Sequence, residues 1–160
     1  MKHPERVEDY LGHIAEAIER ATSYVRPLPD IDAFRQNQLV QDGVVRNIEI
    51  IGEAANHINR MAPDFIAQHP ELPWPHMRNM RNVVIHAYFN VDLTIVWRTV
   101  QEDLPKLKQQ VDDLLKERQQ ASDPADVDTK AEKKAGLART RGETEASIKQ
   151  AQERDNGHSR

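Results

Sequence analysis

Val7-Glu8-Asp9-Tyr10-Leu11-Gly12-His13-Ile14-Ala15-Glu16-Ala17-Ile18-Glu19-Arg20-Ala21 sets the fold class. Val7, Tyr10, Leu11, Ile14, Ala15, Ile18 and Ala21 recur in steps of three and four, the period of one helical face. The spacing predicts an amphipathic helix from about Pro4 to Tyr24, ended by Pro27 and Pro29. Downstream, the same rhythm returns in Phe34, Val40, Val44, Ile48, Ile51, Ala55 and Ile58. Asp30 or Asp32 can cap that second helix, Gly43 is its weak point, and it stops before Pro63. Gly52, Ala54 and Ala55 are small and suit close helix approach.

A proline-rich connection, Pro63 to Pro75, leads to a third helix at about Pro75 to Tyr88, with Pro75 in its first turn. Asp92 caps a fourth, whose apolar face is Ile95, Val96, Val100, Leu104, Leu107, Val111 and Leu114. Pro105 lies inside it and should kink or divide it. No stretch alternates with period two. The expected fold is all-α, an antiparallel bundle of four to five helices.

All eight aromatic residues lie within the first 97 positions. From Glu117 onward only Val127, Leu137 and Ile148 are large and apolar, and nine acidic residues face nine basic ones. The expected organisation is a helical domain over 1–116 and a polar tail over 117–160, disordered or loosely helical.

The 160 residues carry a net charge of −4 and no cysteine. Disulfide frameworks, zinc ribbons and thiol nucleophiles are excluded. No segment approaches the ~20 apolar residues of a membrane span, and Met1-Lys2-His3-Pro4-Glu5-Arg6 does not read as a secretory signal, so the expected compartment is the cytoplasm. No glycine-rich phosphate loop occurs.

Chemistry concentrates in Trp74-Pro75-His76-Met77-Arg78-Asn79-Met80-Arg81-Asn82-Val83-Val84-Ile85-His86-Ala87-Tyr88-Phe89. On a helix, Asn82 and His86 lie ~40° apart, Arg81 and Tyr88 ~20° apart, and Arg81 and His86 ~140° apart. Arg81 and His86 can therefore converge only in a groove that wraps the helix, or with help from a second chain. Histidine passes protons near neutrality, arginine offers a planar fork to phosphate oxygens, and asparagine can hold an imidazole tautomer or donate to a phosphate. A phosphodiester with an adjacent 2′-hydroxyl needs a base, a cation and an acid. No metal and no cofactor is required, and no carboxylate cluster that would suit magnesium is expected near this helix. The plain alternative is a surface histidine on an ordinary helix.

This segment resembles the HEPN superfamily, and within it the HepT-like toxins. The signature is arginine, a polar residue, histidine after four intervening residues, then tyrosine two positions on: Arg81, Asn82, His86 and Tyr88. Ile50-Ile51-Gly52-Glu53-Ala54-Ala55, Trp74, and Val91-Asp92 through Val96-Trp97 extend the resemblance over about residues 5–115. It implies a helical homodimer in which two Arg…His motifs face one cleft. It also implies a metal-independent endoribonuclease toxin and a minimal nucleotidyltransferase antitoxin that transfers AMP from ATP to the tyrosine, here Tyr88. AMP at Tyr88 would set negative charge and bulk beside Arg81, in competition with RNA phosphate. The roles expected are His86 as general base or acid, Arg81 on the scissile phosphate, and Asn82 orienting either. Arg78 is a possible substrate contact. The alternative reading is a non-catalytic HEPN module, binding a nucleotide or serving as accessory subunit of a nucleotidyltransferase. A plain helical interaction protein leaves Arg81, His86 and Tyr88 unexplained.

Glu49, Glu53 and His57 share a helical face. A polar edge packed on a neighbour suits them better than a metal site, and Glu53 could touch the dimer or the cleft. His3, His13, His69, His76 and His158 show no recognisable partners. Trp74 and Trp97 read as core or interface anchors.

Overall fold

A computed structural model describes residues 6–86 and 91–122, with the side chains of 83–86 and 122 excepted. Its first compact unit is Met1–Glu117. The described residues form seven α-helices and no strand: α1 (Val7–Val25), α2 (Ile31–Arg35), α3 (Gln38–Met61), α4 (Pro63–Gln68), α5 (Trp74–His86), α6 (Leu93–Arg98) and α7 (Leu104–Ser122). A π-helical turn, Thr99–Asp103, joins the last two. The all-α reading holds.

Helix α1 begins at Val7, three residues after the expected start near Pro4. Asp9 accepts from the Arg6 N–H at 2.7 Å, closing the first turn. Its stripe is buried through Leu11, Ile14, Ile18 and Ala21. Helix α3 is its main partner, and the two run antiparallel. Tyr10 meets His57, Arg20 meets Asn47, and Tyr24 meets Gly43, so each step forward on α1 is a step back on α3. Asn47 is buried but satisfied, accepting from Arg20 Nε at 3.0 Å and donating to the Gly43 carbonyl at 2.7 Å.

The expected second helix is two helices. Asp30 caps α2, accepting from the Ala33 N–H at 2.9 Å, and Asn37 caps α3, accepting from the Val40 N–H. Between them Gln41 is buried and donates to the carbonyls of Phe34 and Arg35 at 2.8 and 2.9 Å. Those are carbonyls at the C-terminal end of α2, and that of Phe34 also accepts from the Asn37 N–H at 3.1 Å. The break therefore falls at Gln36–Asn37. Gly43 is not a weak point: a Cβ there would sit 3.0 Å from the Tyr24 ring, so its bareness seats that ring. The proline-rich connection holds one further helix, α4, with Pro63 at its first position.

Asp92 caps α6, accepting from the Thr94 and Ile95 N–H groups. Pro105 divides the expected fourth helix, as anticipated, into α6 and α7 with a π-helical turn just before it. Its ring crowds the carbonyl four residues back, that of Gln101, and the chain answers with a widened turn in which the Leu104 N–H reaches the Thr99 carbonyl. Val96, Val100, Leu104, Leu107, Val111 and Leu114 are all buried. Gln110 donates to the Glu71 carbonyl at 2.8 Å, tying α7 to the segment that leads into α5. The expected tail falls almost wholly outside the described residues.

Candidate functional site

Helix α5 carries the motif, and its inner face fixes how it sits. Trp74, Met77 and Met80 are buried. The Trp74 indole N–H donates to the His69 carbonyl at 2.8 Å, and the Phe65 ring meets the indole edge-on. Helix α3 comes against α5 at Gly52. A Cβ on that glycine would lie 2.9 Å from both Cβ and N of Arg81, and 3.1 Å from the Met77 carbonyl oxygen. Two helix backbones touch here because one of them has no side chain. The motif arginine thus leaves α5 directly at the α3 surface.

What it meets there is the next residue of α3. Glu53 Oε2 lies 3.0 Å from Arg81 Nη1. The other oxygen, Oε1, lies 3.2 Å from His57 Nε2 and 3.5 Å from Arg60 Nη2. One carboxylate therefore faces three nitrogen groups, from α5 and from the next two turns of its own helix. Oε2 is inaccessible to solvent and no donor points along its lone pairs, so its link to Arg81 is a charge contact without hydrogen-bond direction. Most of the guanidinium's five N–H donors remain open to another acceptor. Its side chain keeps 44% of its surface exposed.

A cavity of about 420 Å³ opens beside this hub. Tyr10, His13, His57, Glu49, Glu53 and Arg81 are among the residues that line it. Tyr10 and His57 stack with centroids 5.0 Å apart and planes 7° from parallel, and His13 stands edge-on to Tyr10. The far flank of α5 differs. Asn56 of α3 joins His76, Arg78, Asn79 and Asn82 around an open groove of about 610 Å³ with no carboxylate in its wall. Arg78 makes no ion pair among the described residues.

The structure therefore separates two expected partners. Arg81 faces the α3 carboxylate, whereas Asn82 and Arg78, one turn apart, share the opposite groove. His86 ends α5, one turn beyond Asn82, and its side chain lies outside the described residues. Tyr88 also lies outside them.

The sequence reading expected no carboxylate cluster for magnesium beside this helix and let Glu53 touch the dimer or the cleft; Glu53, delivered by α3, stands beside Arg81. Glu49, Glu53 and His57 do share a face, and both oxygens of Glu53 are taken by cationic side chains. No group of three potential metal ligands occurs among the described residues. The close helix approach expected at Gly52 is its contact with Arg81; sequence reasoning missed that Arg81 is what Glu53 meets, and it missed Asn56 and the ring pair. It left His13 and His69 without partners, yet His13 meets Tyr10 and His69 Nδ1 lies 3.0 Å from Glu71 Oε1. A hydrogen bond from the backbone and, more weakly, the His69 ring beside it hold the Glu71 carboxyl below its usual pKa. No helix among the described residues is long and apolar enough to cross a membrane.

Comparison with known proteins agrees with this arrangement. The family described as "Ribonuclease HepT-like" matches residues 14–114, from mid-α1 into α7. "Probable ribonuclease HepT" of Thermococcus cleftensis is 45% identical over 109 residues, covering 68% of this chain and 96% of that protein. "Putative RNase MJ1380" of Methanocaldococcus jannaschii is 37% identical over 106 residues, covering 65% of this chain and 94% of its own. No solved structure gives a significant match. With the motif helix, the Gly52 contact and most of the bundle inside the matched span, the chain belongs to the ribonuclease HepT-like family of the HEPN superfamily.

Proposed function

We propose that this chain is a cytoplasmic RNA endonuclease, the toxin of a toxin–antitoxin pair, cutting by attack of the 2′-hydroxyl without a metal ion. The observation that carries the reading is the placement of Arg81. It is seated against α3, half exposed at a cavity mouth, on the same helix that ends in His86. Membership of a ribonuclease-named family supports RNA as the substrate of this reading.

His86, or its copy in a second subunit, takes the 2′-OH proton. The 2′-oxygen bonds to phosphorus and Arg81 stabilises the charge that gathers on the pentacoordinate phosphorane. The bond to the 5′-oxygen breaks as the second imidazole supplies a proton, leaving a 2′,3′-cyclic phosphate and a 5′-hydroxyl. Arg81 and His86 are ~140° apart on one helix, which favours a homodimer cleft over a single-chain site. Asn82 orients His86, one turn away. The matching nucleotidyltransferase antitoxin silences the enzyme by transferring AMP to Tyr88.

The test is cleavage of RNA by purified wild-type, Arg81→Ala and His86→Ala chains. Each variant should lose at least about 100-fold in rate, the scale of one transition-state donor or one proton-transfer group. Undiminished cleavage by either overturns the assignment.

A further inference from the structure

We propose that the cavity between α1 and α3 is a nucleobase subsite that selects a purine, guanine ahead of adenine, next to the bond being cut. The proposal rests on the ribonuclease reading for its substrate, and on the cavity itself for its specificity.

Three features of the wall converge. The first is a stacking surface: Tyr10 and His57 lie parallel at 5.0 Å, with His13 edge-on at 6.2 Å from Tyr10. Stacking on flat side-chain rings is how single-stranded RNA bases are held, and a two-ring base covers more of such a surface than a one-ring base. The second is a reading edge. Arg46 Nη1 lies 3.3 Å from Glu49 Oε2, so the wall presents a donor fork next to a pair of acceptors. Guanine carries an acceptor, O6, next to two donors, N1–H and the 2-amino group. It can receive from Arg46 and fill both oxygens of Glu49, one hydrogen bond more than adenine can make there. The third is position. Arg81 stands at the same cavity, so a phosphate on its guanidinium carries its own nucleoside within reach of the rings. A volume of about 420 Å³ sits in the ordinary range for small-ligand pockets.

The test uses the full chain and two readouts. Oligoribonucleotides that differ only in the base beside the cleaved bond give KM and kcat, and equilibrium dialysis measures GMP, AMP, UMP and CMP binding without cleavage. A guanine substrate should show a KM at least about ten-fold below uracil or cytosine. Tyr10→Leu should erase that lead by raising the purine KM, with kcat changed less than KM. Tyr10→Phe, which keeps the ring, should retain it. Glu49→Gln, on a partly exposed side chain, should remove the lead of guanine over adenine and leave purine over pyrimidine. Equal KM for all four bases, or an unchanged lead in Tyr10→Leu, overturns the subsite while cleavage sustains the ribonuclease reading. GMP binding that Tyr10→Leu abolishes, with no cleavage of any RNA, upholds the subsite and overturns the ribonuclease reading. Neither binding nor cleavage overturns both.

Discussion

Glu53 reaches Arg81 at 3.0 Å, and the residue just before Glu53 is the glycine on which the Arg81 backbone rests. Two consecutive positions of α3 thus fix one side chain of α5, the first by contact and the second by charge. Both partners of the ion pair are close to half exposed, so the pair adds at most about 1 kcal/mol of stability. Its effect is on where the guanidinium points.

Gly52→Ala should therefore be costly in a way few surface changes are. The new methyl would press on backbone atoms of Arg81, which no rotamer change can clear. Overpacking of this kind costs about 1–3 kcal/mol. Thermal unfolding should show a melting temperature lower by several degrees, with RNA cleavage falling along with it. An unaltered melting temperature would show that α5 can retreat freely.

Glu53→Gln separates positioning from stability. The amide keeps the shape and removes the charge that holds Arg81, His57 and Arg60. Melting should move little, whereas kcat should fall about ten-fold or more, since small misplacements of a catalytic group are expensive. KM should fall or hold, because Arg81 no longer shares its charge. Steady-state kinetics beside a melting curve decides it; unchanged kcat would remove Glu53 from the active arrangement.

Arg78→Gln addresses the other flank of α5. Arg78 has no ion pair among the described residues and its groove has no carboxylate, so its charge is available to an RNA phosphate. RNA binding should weaken, and the slope of log affinity against log salt should shrink by about 1, while kcat stays near wild type. An unchanged slope would make Arg78 a bystander.

Tyr88→Phe tests control. Incubated with the cognate nucleotidyltransferase and ATP, the wild-type chain should gain the mass of one AMP group and stop cutting RNA. The variant should gain none and stay active. Modification of the variant would place the acceptor elsewhere.

Much of the fold was legible because periodicity reports faces. The stripes of α1, α3 and α7, the caps at Asp30 and Asp92, and the buried Trp74 follow from spacing and cap chemistry. The break at Gln36–Asn37 was hidden, because no proline or glycine stands between Phe34 and Val40 to mark it. Only the buried Gln41, a polar side chain at an apolar position, signalled that loose carbonyls needed a donor. Gly43 and Gly52 look alike in sequence. Their meaning lies in what stands opposite, a Tyr24 ring in one case and the Arg81 backbone in the other. The Arg81…His86 pair was singled out by family resemblance rather than by spacing alone, whereas the Glu53 hub joins helices some 28 residues apart in sequence (53 to 81) and no local pattern encodes it.

The widened turn at Thr99–Asp103 has a bearing on how this chain lines up against its kin. Such a turn is a single surplus residue swallowed by a helix. On an even winding Val96, Val100 and Leu104 would drift by ~80° over their two steps of four, and the wider turn narrows that drift. Length can therefore change by one residue at this turn while Asp92 above and Leu107 below keep their register. A gap opened there when related chains are aligned marks an unwound bulge rather than a lost piece of helix.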